Sequence, residues 1–240
     1  MKTIIFVHGA YHAGWCWDKV VKLLPKDAFD CHSLDLPANG SNNSIQKKDV
    51  TTRDYINYVI EYINSNNLSE VVLVSHSLGG ITISKVIERI PEKISRAFFL
   101  TSVILNNKAF FSLLPSEVQE KYRQIASSRP DNSIPPNLER VKQVLFNGSQ
   151  NSEELDVFLS KLEPQPIQPY EDIIALNTFR TTTVPITYIK CKNDISLPEQ
   201  TFNGILSLLP ENAQIETIDA DHEAMFSNPE AIAGLLLRQA

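Results

Sequence analysis

The run VVLVSHSLGG, Val71–Gly80, constrains the fold more than any other stretch of the sequence. Val71–Val74 is continuously apolar and β-branched or leucine, the pattern of a strand covered on both faces. It stops at a cluster of small and polar residues. From Ile81 onward, Ile83, Val86, Ile87 and Ile90 recur at helical spacing. A buried strand that turns directly into an amphipathic helix is half of a strand–helix–strand unit, and such units build parallel sheets.

Other runs repeat the rhythm. Strands are expected near Thr3–Val7, Cys31–Leu34, Ala97–Thr101, Ile186–Lys190 and Gln214–Ile218, most of them continuous apolar runs. Thr52–Asn64 places Ile56, Val59, Ile60 and Ile63 on one helical face, and Ser227-Asn228 before Pro229 is a helix-start signature. The expected class is α/β: a mostly parallel central sheet with helices on both faces. Residues 102–179 break the rhythm. They read as helices over Ser116–Ala126, Leu138–Phe146 and Ser152–Leu162, separated by the proline-rich stretches SSRPDNSIPP and EPQPIQP. One domain spans 1–240, with its core in 1–101 and 180–240. The helical segment about 102–179 is expected as a lid over the carboxyl ends of the strands, where open α/β sheets bind ligands.

With 240 residues the chain is long enough to bury a core of this kind. A net charge of −6 lacks the clustered Lys and Arg of a nucleic-acid footprint. Cys16, Cys31 and Cys191 are widely spaced, suggesting neither a disulfide framework nor a zinc site. The apolar run Ile4–Val7 is too short for the core of a signal peptide, and no run approaches transmembrane length. A soluble, cytoplasmic protein with no nucleic-acid or membrane partner is expected, with a homodimer left open.

The chemistry concentrates at strand ends. A serine nucleophile at a sharp strand-to-helix turn needs small residues two before and two after it. Around Ser77 these are Ser75 and Gly79; around Ser75 they would be Leu73 and Ser77, so Ser77 is selected. His76, adjacent in a tight turn, is geometrically poor as its base. His222, on the loop after the last strand, fits better. Asp194, after the strand Ile186–Lys190, is the expected carboxylate, with Asp219 in reserve. The order Ser…Asp…His is that of the G-x-S-x-G hydrolases. The backbone N–H groups of Ala10, after the Gly9 turn, and Leu78 are the expected oxyanion donors.

These residues lie in FVHGAYHAGWCW (Phe6–Trp17), LDLPANG (Leu34–Gly40), VSHSLGG (Val74–Gly80), KNDISLPE (Lys192–Glu199) and DADHEAMFSNP (Asp219–Pro229). With them the chain resembles the α/β-hydrolases, more narrowly their methylesterase and hydroxynitrile lyase branch. The segment LFNGSQNSEELDVFLSKLEPQPIQP resembles the lids of bacterial esterase-like members. The resemblance implies Ser77 as nucleophile, Asp194 as acid, His222 as base and Ala10 and Leu78 as oxyanion donors, with no metal or organic cofactor. It also implies a small-molecule ester as substrate. Lyases of the branch carry a hydroxyl residue or asparagine where this chain has Gly9, and the former also carry lysine where it has Glu223; this favours ester cleavage over cyanide release. Tyr11, often smaller in plant members, is expected to narrow or polarise the acyl pocket. Phe110, Phe111, Leu113, Leu114, Phe146 and Phe158 are expected to line that pocket or to form the lid's own core. A thioesterase or lactonase would use the same groups, and a non-catalytic small-molecule receptor could share the fold.

Overall fold

Alternation along each strand divides the apolar residues between two cores. In the computed structural model, which describes residues 1–147, 149 and 152–240, six strands form one sheet in the order β2-β1-β3-β4-β7-β8. They are β1 (Lys2–Val7), β2 (Phe29–Leu34), β3 (Val71–His76), β4 (Ile94–Leu100), β7 (Ile186–Cys191) and β8 (Gln214–Ile218), and every pairing is parallel. Ile5, Leu73 and Phe99 point to one face, against Ile56, Val59 and Ile63 of α2 (Thr52–Ser65) and Ile83, Val86 and Ile87 of α3 (Gly79–Arg89). Phe6, Val74 and Phe98 point to the other, against Val20 of α1 (Asp18–Leu23) and Ile232 and Leu236 of α10 (Pro229–Gln239). Strands with both faces covered must be apolar at every position, which is why these runs show no clean alternation in sequence.

The chain has the α/β architecture, a parallel central sheet with helices on both faces, that its sequence leads one to expect, and all six anticipated strands are present. Local signals set the helix ends. Thr51 caps α2 in a reciprocal capping box with Asp54, and Asn228 caps α10 ahead of Pro229. Between β4 and β7 run α4 (Ser116–Ser127), α5 (Leu138–Leu145), α6 (Glu153–Ser160) and α7 (Gln168–Glu171). The segment also contains two short strands not expected from sequence, β5 (Ser133–Ile134) and β6 (Gln165–Pro166), paired antiparallel. At two residues each, they are too short to leave a periodic signal. Gly148, Gln150 and Asn151, inside the lid-like stretch quoted above, lie outside the described residues. Helix α8 (Glu199–Leu206) follows β7, and α9 (Ala224–Ser227) precedes α10. Among the described residues no helix is long and apolar enough to cross a membrane.

Because every strand runs the same way, the loops after β1, β3, β7 and β8 emerge at one edge of the sheet. These loops carry Ala10, Ser77, Asp194 and His222 respectively. The rigidity of that edge depends on the buried strands beneath it. Phe99 is fully buried and packs edge-on against Phe179 with ring centroids 5.9 Å apart. Phe99→Ala is expected to cost about 3–5 kcal/mol, read as a lower urea midpoint with an unchanged denaturant slope.

Candidate active site

Ser77 sits between the last residue of β3 and the first turn of α3 with φ at 49°, in the left-handed region that a non-glycine residue rarely occupies. Its surroundings hold it there. The Ser77 N–H donates to Leu100 O at 3.2 Å, and its carbonyl accepts from Val103 N at 2.8 Å and Gly80 N at 3.1 Å. The turn closes only because its neighbours are small. A Cβ on Gly79 would lie 2.6 Å from the His8 carbonyl oxygen, and one on Gly80 would lie 2.6 Å from Ser102 Cβ. Ser75, fully buried, is compatible with the same crowding and hydrogen-bonds Ser102 Oγ at 2.8 Å.

His222 and Asp194 meet across the sheet edge. His222 Nδ1 lies 2.7 Å from Asp194 Oδ2, both side chains 4% exposed. The other carboxylate oxygen accepts from Ser196 N (2.8 Å) and Ser196 Oγ (2.6 Å), and that hydroxyl also lies 2.7 Å from His222 Nδ1. Ser196 is a supporting residue that sequence reasoning missed; its only signal was its place two residues after Asp194. Burial alone would lower the His222 pKa, but the Asp194 charge and hydrogen bond outweigh it, so the imidazole is held above its ordinary value. Burial likewise opposes ionisation of Asp194, and His222 and Ser196 overcome it to hold the carboxyl below its usual range.

Among the described residues His76 makes no hydrogen bond to Ser77. Its Nε2 lies 3.0 Å from the His222 carbonyl oxygen, pinning the backbone of the neighbouring histidine, and burial lowers its pKa strongly. Asp219, the reserve carboxylate, accepts instead from Asn193 Nδ2 at 2.8 Å. Asp221 accepts from the Glu223 N–H and from Ser227 and Ser149 hydroxyls, so it braces the loop around His222.

Ser77 and His222 line one cavity of about 290 Å³, together with Ala10, Tyr11, Phe110, Leu114, Tyr122, Val141, Tyr170 and Glu223. No hydrogen bond joins Ser77 to His222 among the described residues; such bonds are commonly long in an unliganded site and tighten with substrate. The N–H groups of Ala10 and Leu78 are not spent on backbone acceptors among the described residues. The loop bearing Ala10 is fastened by Tyr11, itself left-handed at φ 67°, whose N–H donates to Gln165 Oε1 (3.2 Å) and whose carbonyl accepts from Glu163 N (2.8 Å). Gln165, far along the chain, carried no sequence signal for this contact. The Tyr11 hydroxyl is buried among those of Tyr122 and Tyr170. Of the aromatic and leucine residues weighed above, Phe110 and Leu114 reach the cavity, whereas Phe111, Phe146 and Phe158 pack in the cores beneath.

Glu223 is fully buried beside His222. Burial, reinforced by Asp221 and Asp194 and opposed by His222, pushes its carboxyl up to about 8. His12 Nε2 stands 3.4 Å from it, and burial pulls that imidazole down to about 3. The contact is therefore a neutral acid facing a neutral ring, rather than an ion pair, at neutral pH. His12 Nδ1 lies 2.7 Å from Ala10 O, which fixes the N–H on that nitrogen and leaves Nε2 as the acceptor.

A model of the alpha/beta hydrolase family matches residues 4–235. Methylesterase 7 from Arabidopsis thaliana is 29% identical, with 100% of this chain aligned to 96% of that protein. Methylesterase 2 from the same plant is 30% identical, the match covering 97% of this chain and 94% of its relative. Among solved structures, an extracellular alpha/beta-hydrolase from a Paenibacillus species superposes with a TM-score of 0.88 at 20% identity, covering 99% of this chain and 98% of that one. A polyneuridine aldehyde esterase variant gives a TM-score of 0.78 at 25% identity, with the same coverage.

The absence of a side chain at Gly9 is a requirement of this geometry. A Cβ there would lie 2.9 Å from both Ser77 Cβ and His76 Nδ1. Gly9→Ala is expected to lower ester turnover at least about tenfold, the scale of a sub-ångström misplacement at a reacting centre, while circular dichroism shows the fold retained.

Proposed function

This chain belongs to the alpha/beta hydrolase family and, like the methylesterases it matches, is a carboxylesterase-type serine hydrolase; we propose that it cleaves small apolar, aryl or methyl esters through an acyl-enzyme. The observation that carries the reading is the buried Asp194–His222 bond of 2.7 Å sharing one cavity with a left-handed Ser77. With Nδ1 committed to Asp194, the free His222 nitrogen is Nε2, the one available to take a proton.

In this mechanism Ser77 Oγ attacks the ester carbonyl carbon and its proton passes to His222 Nε2. Asp194 orients the ring and stabilises the imidazolium as it forms. The carbonyl oxygen becomes an oxyanion that accepts hydrogen bonds from the Ala10 and Leu78 N–H groups. The second of these stands at the start of α3, where the helix dipole favours negative charge. Collapse of the tetrahedral intermediate expels the alcohol, which takes the proton from His222. Water, deprotonated by the same imidazole, then releases the acid and frees Ser77. Tyr11 borders the cavity, its hydroxyl beside those of Tyr122 and Tyr170.

Hydroxynitrile cleavage is disfavoured by two contacts. Any hydroxyl residue in place of Gly9 would collide with Ser77, and the position after His222 holds a buried carboxylic acid where a departing cyanide would need a cation. Thioester and lactone cleavage would use the same groups, and a substrate panel separates them from ester cleavage.

Ser77→Ala is expected to lower p-nitrophenyl acetate turnover on the order of 10³-fold or more, with mandelonitrile releasing no cyanide from the unaltered protein; full turnover by a folded Ser77→Ala variant would overturn the mechanism. The base must be neutral to accept the serine proton, and its pKa is raised. The acid limb of the kcat/KM profile is therefore expected above the ordinary histidine value of 6.5. Activity should be lost as pH falls through that limb, and a midpoint at or below 6.5 would contradict the Asp194 pairing.

A further inference from the structure

Beside the triad lies a group of buried polar atoms that the mechanism does not use. His76 Nδ1, His12 Nε2 and both carboxylate oxygens of Glu223 have no hydrogen-bond partner among the described residues, His12 Nε2 and Glu223 only facing each other at 3.4 Å. Leaving such atoms unpaired in a protein interior is costly, and an unpaired group in a native structure calls for an explanation. One ring nitrogen from each of His76 and His222, and one Glu223 carboxylate oxygen, lie within 4.8 Å of one another. All three residues are buried, and all three border the cavity, which gives a small ion a route to them.

Hydrogen bonding decides which nitrogens are available. His222 Nδ1 is held by Asp194, leaving Nε2; His76 Nε2 is held by the His222 carbonyl, leaving Nδ1. Each ring thus has its outer nitrogen backed by an acceptor, a carboxylate in one case and a backbone carbonyl in the other. This is how metal-bound histidines are oriented. Two imidazole nitrogens and a carboxylate form a donor set suited to zinc and to other borderline divalent ions, and unsuited to magnesium or calcium, which prefer oxygen. With metal–ligand bonds of about 2.0–2.2 Å, tetrahedral donors stand about 3.3–3.6 Å apart, so donors that lie within 4.8 Å of one another have to draw together by at most about 1.5 Å.

We propose that His76, His222 and Glu223 form a binding site for a divalent transition-metal ion, zinc foremost, and that filling it inhibits the enzyme. The ion takes the Nε2 lone pair that His222 needs in order to accept the Ser77 proton. Nucleophile activation stops while the ion is bound. The inhibitory part rests on the function proposed above; the binding part does not.

The test measures the two parts separately. Zinc is titrated calorimetrically into metal-free Ser77→Ala protein, and unaltered enzyme is assayed with p-nitrophenyl acetate across a zinc series. One ion per chain is expected, with inhibition reversed by EDTA and no effect of magnesium. Glu223→Gln and His76→Phe, each on the Ser77→Ala background, are expected to weaken zinc binding at least tenfold. The inhibition constant of Glu223→Gln, normalised to its own zinc-free rate, should rise by the same factor. Should His76→Phe not fold, Glu223→Gln, nearly isosteric, carries the test alone. Unchanged affinity in Glu223→Gln would put the ion elsewhere, at Cys31 or His32 for example, and overturn the proposal, as would no binding at all. Binding with the expected variant pattern in a protein that hydrolyses no ester would support the site and overturn the function reading instead.

Discussion

The left-handed backbone of Ser77 is the constraint on which the remainder of the site depends. A serine at φ 49° is held in a sparsely populated conformation costing on the order of 1–3 kcal/mol, and it persists because its surroundings allow no alternative. Three backbone hydrogen bonds fix its peptide groups, β4 and the chain following it supply two of the partners, and α3 starts two residues later. Close approach of the Gly79 backbone to β1 and of Gly80 to Ser102 leaves no room to relax. The strain is thereby spread over β1, β3, β4 and α3, all of them buried. The same closeness brings Gly9 against Ser77, so the proposed oxyanion loop and the proposed nucleophile share one packing contact.

The histidines around this turn divide the labour by burial and hydrogen bonding. His222 alone is paired with an ionised carboxylate, and it alone has a raised pKa. His8, His12 and His76 lie in the same neighbourhood with their pKa values lowered by burial. They act as neutral hydrogen-bonding posts: His8 Nε2 accepts from Leu36 N, while His12 and His76 hold the carbonyls of Ala10 and His222. A cluster of four imidazoles near one serine would be electrostatically unmanageable if all were charged. Keeping three of them neutral leaves His222 as the one with a raised pKa, which suits its proposed part as base. Glu223 extends this logic, because a buried acid kept protonated near neutrality adds no full charge beside His222.

The chain between β4 and β7 was the least readable part of the sequence, for a physical reason. Its helices pack on one another and over the cavity, so their apolar residues serve the cores and the cavity wall alike. Phe110 and Phe111 are neighbours in sequence, yet one faces the cavity and the other a core. Phe146 and Phe158, equal candidates for the wall, stack beside Phe226 instead. Two-residue pairings such as Ser133–Ile134 with Gln165–Pro166 are set by the tertiary arrangement of the segment, since no period can be read from so short a strand.

The sequence by itself determined the parallel sheet, its six strands and the turn at Ser77. Those features arise from local patterns: continuous apolar runs, helical periodicity, and the small residues that a strand-to-helix turn requires. It also singled out Asp194 and His222, because parallel strands deliver their carboxyl-terminal loops to one edge and chain order leaves few candidates there. Only the tertiary structure decided what surrounds them. Ser196 beneath Asp194, Gln165 and Glu163 clamping Tyr11, and His76 bracing the His222 carbonyl are contacts between loops or between residues whose proximity depends on how the chain packs. The protonation of Glu223 was likewise invisible in the sequence, where it counts as one more acid; burial beside Asp221 and Asp194, against the opposing pull of His222, is what makes it a neutral one.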